Sequence, residues 1–350
     1  MKIAIDISPL RTGHKIRGVG FYLEHLKSAL VKYFPENNYV FFTRGDKLPS
    51  DVGVIHFPYF EPFFLALPIY NKFKTVVTVH DLTPIVFPEA FPSGIKGKLK
   101  WQMQRFALKR ASAVITDSES SKIDIKKYAG VRENKIHVVY LAAGEDFKQL
   151  SDGSWKQEIR KRYGLPEKFV LYVGDVTWNK NLPRLIDAIK EVKLPLVMVG
   201  KSLVSEDYDK SSPWNTDLNR VGEQTKGDSN ILKLGFVSGE ELVQLYNLAT
   251  VFVMPSLYEG FGLPILEAMA CGCPVITSKE GSLGEVAGNS ALYVDAYDMD
   301  SIAAGIKKVF NDQILQKELS EKGLVNVKRF SWKKTATETL EVYTQVVKPQ

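Results

Sequence analysis

Short apolar runs alternate with amphipathic stretches from one end of the chain to the other, the pattern imposed by parallel sheets covered with helices on both faces. In the first half, Ile3–Ile7, Tyr39–Phe42, Val52–Phe57, Thr75–Val79, Ala113–Thr116 and Ile136–Val139 are predicted strands, with helices filling the gaps. A polar stretch from Leu141 to Ser154, with Gly144, Asp146, Ser151, Asp152 and Gly153, interrupts the alternation and is expected to link two domains. The pattern restarts with Phe169–Val173, Leu196–Val199, Ile231–Leu234, Val251–Met254, Pro274–Thr277 and Ala291–Val294. Helices over Asp298–Phe310 and Trp332–Val347 close the chain, and the last is expected to cross back and brace the first domain. The predicted fold is α/β, with two Rossmann-like domains over 1–145 (plus helix 332–347) and 146–331. They are expected to face each other across a cleft at the carboxyl ends of both sheets, where doubly wound folds bind ligands.

Length and composition agree with this layout: 350 residues exceed what a single core usually supports, and 45% hydrophobic residues can fill two. A net charge of +6 suits an anionic ligand or membrane headgroups but falls short of a nucleic-acid signature. Cys271 and Cys273 are too close in sequence for an unstrained bridge, which points to a reducing compartment. Met1 runs directly into a predicted strand, and the longest apolar region, Phe57–Tyr70, is broken by Glu61 and three prolines. Neither a signal peptide nor a membrane span is expected, so the expected location is the cytoplasm.

The strongest local signal is Pro255-Ser-Leu-Tyr-Glu-Gly-Phe-Gly-Leu-Pro-Ile-Leu-Glu-Ala-Met-Ala-Cys-Gly-Cys-Pro274, directly after a predicted strand. Pro264 fits the first turn of a helix, because its missing N–H would be unpaired there anyway, which leaves Gly260 and Gly262 in the preceding loop. On one helix Glu259 and Glu267 would stand roughly 12 Å apart; with Glu259 on the loop they can converge on one ligand. Backbone N–H groups from Gly260 through Phe261 and Gly262 to Leu263, with the helix N-terminus behind them, suit a diphosphate. The two carboxylates suit vicinal hydroxyls of ribose and hexose. Read alone, two glutamates near a helix start are as well explained by stabilisation of that helix.

With its glycine loop and its place after a strand, the segment resembles the GT-B glycosyltransferases of family 4, the retaining group marked by a Glu, seven residues and a second Glu. The resemblance covers nearly the whole chain. It implies that Glu259 approaches the donor hexose as a catalytic residue and that Glu267 binds the nucleotide ribose. Gly174-Asp-Val-Thr-Trp-Asn-Lys-Asn-Leu-Pro183 matches the segment where the family carries a phosphate-binding lysine, here Lys180. Many relatives add an arginine at the position of Asp175 or Asn179, and this chain has neither, so Arg17, Arg184 and Lys201 are candidate substitutes. Arg17-Gly-Val-Gly-Phe-Tyr22 resembles the family's glycine loop, with Gly20 as the donor-side candidate. His80, at the end of the Thr75–Val79 strand, matches the family's histidine that contacts the donor hexose, and Asp81 is an acceptor-side candidate.

Val199-Gly-Lys-Ser202 lacks the earlier glycine of a P-loop, since Pro195 occupies that place. The first βα turn lacks the dinucleotide fingerprint, and no cluster has metal-ligand spacing, so neither a dehydrogenase nor a metal cofactor is expected. Residues Ile95–Ala111 form a predicted helix with Lys96, Lys98, Lys100, Arg105, Lys109 and Arg110 and no acid, and with Leu99, Met103, Phe106 and Ala107 on one face. Two readings stay open: a packed helix with a solvated basic face, or an interfacial surface attracted to anionic lipid.

The first-half signature His80-Asp-Leu-Thr-Pro84 with Phe87-Pro-Glu89 is closest to the mannosyltransferases that extend bacterial O-antigen and related polysaccharides. That resemblance implies GDP-mannose as leading donor, with UDP- or dTDP-sugars as alternatives, and a saccharide or lipid-linked acceptor. A nucleotide-sugar epimerase of the same fold and a non-catalytic sugar-nucleotide-binding protein are the competing readings.

Overall fold

The computed structural model describes residues 1–13 and 18–348 and divides into two compact units, Met1–Ala142 with Phe330–Gln350, and Ala143–Arg329. In the first unit the strands are β1 (Lys2–Asp6), β2 (Asn38–Phe42), β3 (Val54–Phe57), β4 (Lys74–Thr78), β5 (Ala113–Thr116) and β6 (Ile136–Val138). They form one parallel sheet in the order β2-β1-β3-β4-β5-β6. Its helices are α1 (Gly18–Tyr33), α2 (Thr83–Val86), α3 (Gly94–Arg110) and α4 (Glu119–Asp124). Strands β3 and β5 are buried along their whole length, as expected where helices cover both faces.

The second unit carries β7 (Val170–Val173), β8 (Leu196–Val199), β9 (Ile231–Gly235), β10 (Val251–Met254), β11 (Val275–Thr277) and β12 (Leu292–Tyr293). These too are all parallel, in the order β12-β11-β10-β7-β8-β9. Its helices are α5 (Trp155–Tyr163), α6 (Leu182–Val192), α7 (Thr216–Gln224), α8 (Gly239–Leu248), α9 (Leu263–Ala270), α10 (Leu283–Ala287), α11 (Met299–Asn311) and α12 (Gln313–Asn326). Finally α13 (Trp332–Val347) returns to the first unit, where the Tyr343 hydroxyl meets His56 Nδ1 at 2.6 Å. All twelve strands expected from the apolar runs are present, within about two residues at each end.

Two elements depart from the apolar pattern. Helix α12 has no counterpart in the sequence reading, because its Ile314 and Val325 are exposed while Gly323 is buried against Met269. A small-residue contact of that kind leaves no apolar stripe. In α3 the apolar face read from the sequence is split: Leu99 is 64% and Phe106 53% exposed, whereas Met103 is half-buried and Ala107 buried, and Ile95 at the helix start is 88% exposed. The helix instead buries Gly97, Trp101, Gln104, Ala107 and Leu108. Gln104 explains the rotation, since its side chain accepts from Leu67 N at 2.8 Å and donates to Leu67 O at 3.2 Å, satisfying the backbone of a buried residue in the preceding loop. Trp101 packs edge-on to Phe60 on the same side.

Candidate active site

In the second unit the loops at the carboxyl ends of β7, β8, β10 and β11 converge. Gly262 caps the N-terminus of α9 with φ of 90°, where a Cβ would stand 2.7 Å from Leu283 Cδ2, so only glycine fits. This leaves Glu259 on the loop and Glu267 on the helix. Gly260 and Phe261 are buried within that loop, and Leu263 starts the helix half-buried. The Glu259 backbone is clamped from the β11–α10 turn. Its carbonyl accepts from Ser282 N at 3.2 Å and Ser282 Oγ at 3.0 Å, and Gly281, at φ of 60°, lies so close that a Cβ would stand 2.6 Å from that oxygen.

Lys180 reaches the same place from the loop after β7. Asn179 Nδ2 donates to Tyr258 O at 3.0 Å and Leu257 N donates to Asn179 O at 2.7 Å, which sews the two loops together. Asn181, in a left-handed conformation at φ of 57°, donates to Pro255 O and Ala296 O. The result brings Lys180 Nζ to 2.7 Å and 2.8 Å from the two carboxylate oxygens of Glu259, 79 residues away in sequence.

Of the candidate replacements for the family arginine, Arg184 is spent on Asn181 Oδ1 and Ala296 O and so is a structural clamp. Lys201 is exposed at the turn after β8, and Arg17 lies outside the described residues. Asp175 holds the neighbouring loop by accepting from Ser202 N and Oγ at 3.3 Å and 3.2 Å.

Glu267 makes no hydrogen bond to Glu259's partners. It accepts from the Tyr246 hydroxyl of α8 at 2.9 Å, and the tyrosine ring packs edge-on between Phe147 and Phe252. Burial pushes the Glu267 carboxyl up to about 7, against the downward effect of the Tyr246 bond. A carboxyl poised near neutrality is costly to charge until hydroxyl donors arrive.

In the first unit, Gly20 is buried in the first turn of α1. His80 follows β4, and its Nδ1 lies 2.6 Å from Oδ2 of Asp117, which follows the adjacent strand β5. Tyr22 stands edge-on to the imidazole at 4.8 Å. Burial opposes the charged ring, but the Asp117 carboxylate, helped by Asp81 and the Pro58 carbonyl, outweighs it and raises the His80 pKa above the usual histidine value. Asp81, the acceptor-side candidate, accepts from Thr83 N at 2.8 Å and so fixes the start of α2.

Sequence reasoning missed Asp117, Tyr246 and the Gly281-Ser282 turn. Asp117 carries a readable signal, an acid at a strand end beside another strand end, whereas Tyr246 sits on an ordinary amphipathic helix. Among the described residues no group of three or more His, Cys, Asp or Glu is placed to hold a metal, and no helix is long and apolar enough to cross a membrane.

Two family descriptions match the chain: "Glycosyl transferases group 1" over residues 155–326 and "Glycosyltransferase Family 4" over 16–143. The O-antigen chain mannosyltransferase B of Escherichia coli is 31% identical over 279 residues, spanning 77% of this chain and 70% of that protein. The chain belongs to the family 4 glycosyltransferases. Another relative of this glycosyltransferase, the serotype-specific mannosyltransferase WbdA of Escherichia coli, is 29% identical over 311 residues, which are 85% of the chain but 37% of that longer protein. Among solved structures, Anabaena Alr3699/HepE in complex with UDP-glucose superposes with a TM-score of 0.73 at 19% identity, covering 99% of this chain and 100% of that one. The architecture of two parallel Rossmann-like sheets is therefore the GT-B glycosyltransferase fold.

Proposed function

We propose that this glycosyltransferase moves mannose from GDP-mannose to a saccharide or lipid-linked saccharide with retention of the anomeric configuration. The observation that carries the reading is the meeting of Lys180 with Glu259 at the mouth of the glycine loop, with Glu267 about one turn into the helix that follows. A cation for the diphosphate and a carboxylate for the hexose meet on two loops at the carboxyl end of one sheet, and a second carboxylate for the ribose stands on the helix that follows. The mannosyltransferase relatives support the sugar, and a relative of the same fold that holds UDP-glucose supports a nucleotide-sugar donor.

In the proposed reaction the bond between C1 and the leaving phosphate oxygen breaks while the acceptor oxygen bonds C1 on the same face. The acceptor's hydroxyl proton passes to the departing phosphate, giving the glycoside and GDP. No enzyme nucleophile is required. Lys180 and the N-terminus of α9 answer the charge that grows on the phosphate, Glu267 orients the nucleoside, and Glu259 and His80 orient the hexose.

Incubation with GDP-, UDP- and dTDP-hexoses, with and without saccharide acceptors, tests this. GDP release that depends on acceptor, with an α-mannoside product, is the expected result. An epimerised sugar nucleotide formed without acceptor, or tight binding without turnover, would replace it with one of the competing readings.

The solvent side of α3 supports an anionic membrane surface as the place where the acceptor is met. Ile95, Leu99 and Phe106 stand exposed beside Lys96, Lys98, Lys109 and Arg110, and Lys100 Nζ lies 5.5 Å over the ring of exposed Phe64 in the preceding loop. Each such basic residue is worth about 1 kcal/mol near anionic lipid, and the apolar side chains add insertion. Co-sedimentation with phosphatidylglycerol vesicles but not with phosphatidylcholine vesicles, lost in Leu99→Ser/Phe106→Ser, is expected; equal recovery with both vesicles would remove the membrane from the proposal.

A further inference from the structure

Among the described residues, His80 and Asp117 share a feature that the Lys180–Glu259 pair lacks: each keeps one buried polar atom without a hydrogen bond of good geometry. These atoms are His80 Nε2 and Asp117 Oδ1. Leaving a buried polar atom without a partner is costly, and two on one ion pair mark a site held ready for something. The His80 ring is held at Nδ1 by Asp117, and the residue's main chain is held as well. Its backbone carbonyl accepts from Ser121 Oγ at 3.0 Å, the preceding Val79 N donates to Ile115 O at 2.9 Å, and Tyr22 closes one edge. Tyr22 is in turn fixed by a buried chain, its hydroxyl 3.0 Å from Thr78 Oγ1, which lies 2.8 Å from His56 Nε2.

With Nδ1 on a carboxylate, the chemistry at Nε2 depends on the charge of the ring. A neutral imidazole donating from Nδ1 offers only an acceptor at Nε2; an imidazolium offers a donor. Hexose hydroxyls can meet either, but the ring oxygen and the phosphate oxygens of a sugar nucleotide meet only the donor. We propose that Asp117 is a positioning residue that locks His80 through Nδ1 and keeps the ring an imidazolium, so that Nε2–H donates to an oxygen of the bound sugar nucleotide. The proposal rests on the donor-site reading of His80 given above.

The groups that face the ring among the described residues support the assignment. His56 on β3 is pushed by burial down to about 3 and stays neutral, and burial raises the Tyr22 hydroxyl far beyond the working range. Charge on the ring is therefore set by Asp117 from the β5–α4 turn and, more weakly, by Asp81 beside it and by the Pro58 carbonyl, which faces the ring without a well-aligned hydrogen bond to Nε2. Since the His80 pKa is raised, the charged form is complete at acid pH and is lost as pH rises through that value.

The experiment is a histidine side-chain NMR titration of the whole chain, with His80 among the five histidines assigned by His80→Gln, combined with the pH profile of kcat for the transfer reaction. Wild-type His80 is expected to titrate above about 6.5, and Asp117→Asn to move it below that value, since burial then meets only the weaker pull of Asp81 and the Pro58 carbonyl. The alkaline fall of kcat should move with it, KM for the donor changing far less, and Asp117→Glu should restore part of the shift. Asp81→Asn should displace the titration less than Asp117→Asn. Wild-type His80 titrating below its ordinary value overturns the proposal without any variant, as does an unchanged titration in Asp117→Asn. A titration that moves while the kcat profile stays fixed overturns the role in transfer. If no sugar is transferred at all yet the titration moves, the donor-site reading has failed and the pairing of Asp117 with His80 stands.

Discussion

The two units hold their candidate catalytic groups in ion pairs of nearly equal length, 2.7 Å for Lys180–Glu259 and 2.6 Å for His80–Asp117, but leave them in opposite states. In the second unit both partners are expected to meet the donor, and each already answers the other's charge. In the first unit Asp117 only supports the ring, and Nε2 is left over. A satisfied pair must exchange partners when ligand binds, so the measured affinity is what remains after the pair is given up. The half-satisfied pair gives up only the poorly aligned approach of the Pro58 carbonyl and gains a bond. Two ion pairs of similar length would therefore make different demands on a ligand that each meets.

The largest effect should come from breaking the satisfied pair on its carboxylate side. Glu259→Gln removes the charge that faces the hexose and is expected to lower kcat about 10²–10³-fold, the usual cost of one preorganised electrostatic group. The same change frees Lys180, so GDP should bind a few-fold more tightly, whereas Lys180→Ala should weaken GDP about tenfold and leave guanosine unaffected. Calorimetry on the two variants decides: if Glu259→Gln weakens GDP as much as Lys180→Ala does, the partners do not exchange and the contrast between the units is lost.

A smaller effect is expected at Glu267, where binding and stability should part company. Its folded pKa of about 7 lies above the ordinary glutamate value. The carboxyl therefore contributes its full stability below about 4.5, and this is lost as pH rises through 7, where a buried charge must form. Glu267→Gln should stabilise the protein at pH 8 by up to roughly 3 kcal/mol in denaturant unfolding. It should also weaken nucleoside diphosphate about 10–100-fold by loss of charged hydrogen bonds to ribose. A variant that is less stable at pH 8 than wild type would show that Glu267 is a structural buttress.

These tests separate what the sequence displayed from what only the fold assembles. The strands were legible because runs such as Val251–Met254 are apolar on both faces, and Gly262 with Pro264 announced the loop-to-helix step. Glu259, Glu267, Lys180 and His80 were legible through family spacing. Their partners were not. Lys180 meets Glu259 across 79 residues because Asn179 and Asn181 sew two loops together through backbone carbonyls, a use of asparagine that has no sequence period. Which side of α3 is buried was hidden for the same reason, since Gln104 is buried by its bonds to Leu67 and not by hydrophobicity.

The smallest predicted effect asks whether the two units share one principle beneath the contrast. Tyr246 stands to Glu267 as Asp117 stands to His80: a buried partner that favours the charged form of a group that burial would keep neutral. The signs differ, because a donated bond lowers a carboxyl's pKa whereas a carboxylate raises an imidazole's. Tyr246→Phe keeps the ring between Phe147 and Phe252 and removes only the hydroxyl. The Glu267 pKa should then rise, and the pH at which GDP binding reaches half its alkaline strength should rise with it. Binding at pH 7 should weaken about threefold while binding at pH 9, where the carboxylate forms in either protein, stays close to wild type. Calorimetric titrations from pH 6 to pH 9 read this directly. A loss of equal size at every pH would mean that Tyr246 acts on the shape of the ribose site and not on the charge of Glu267, and the parallel with Asp117 would end there.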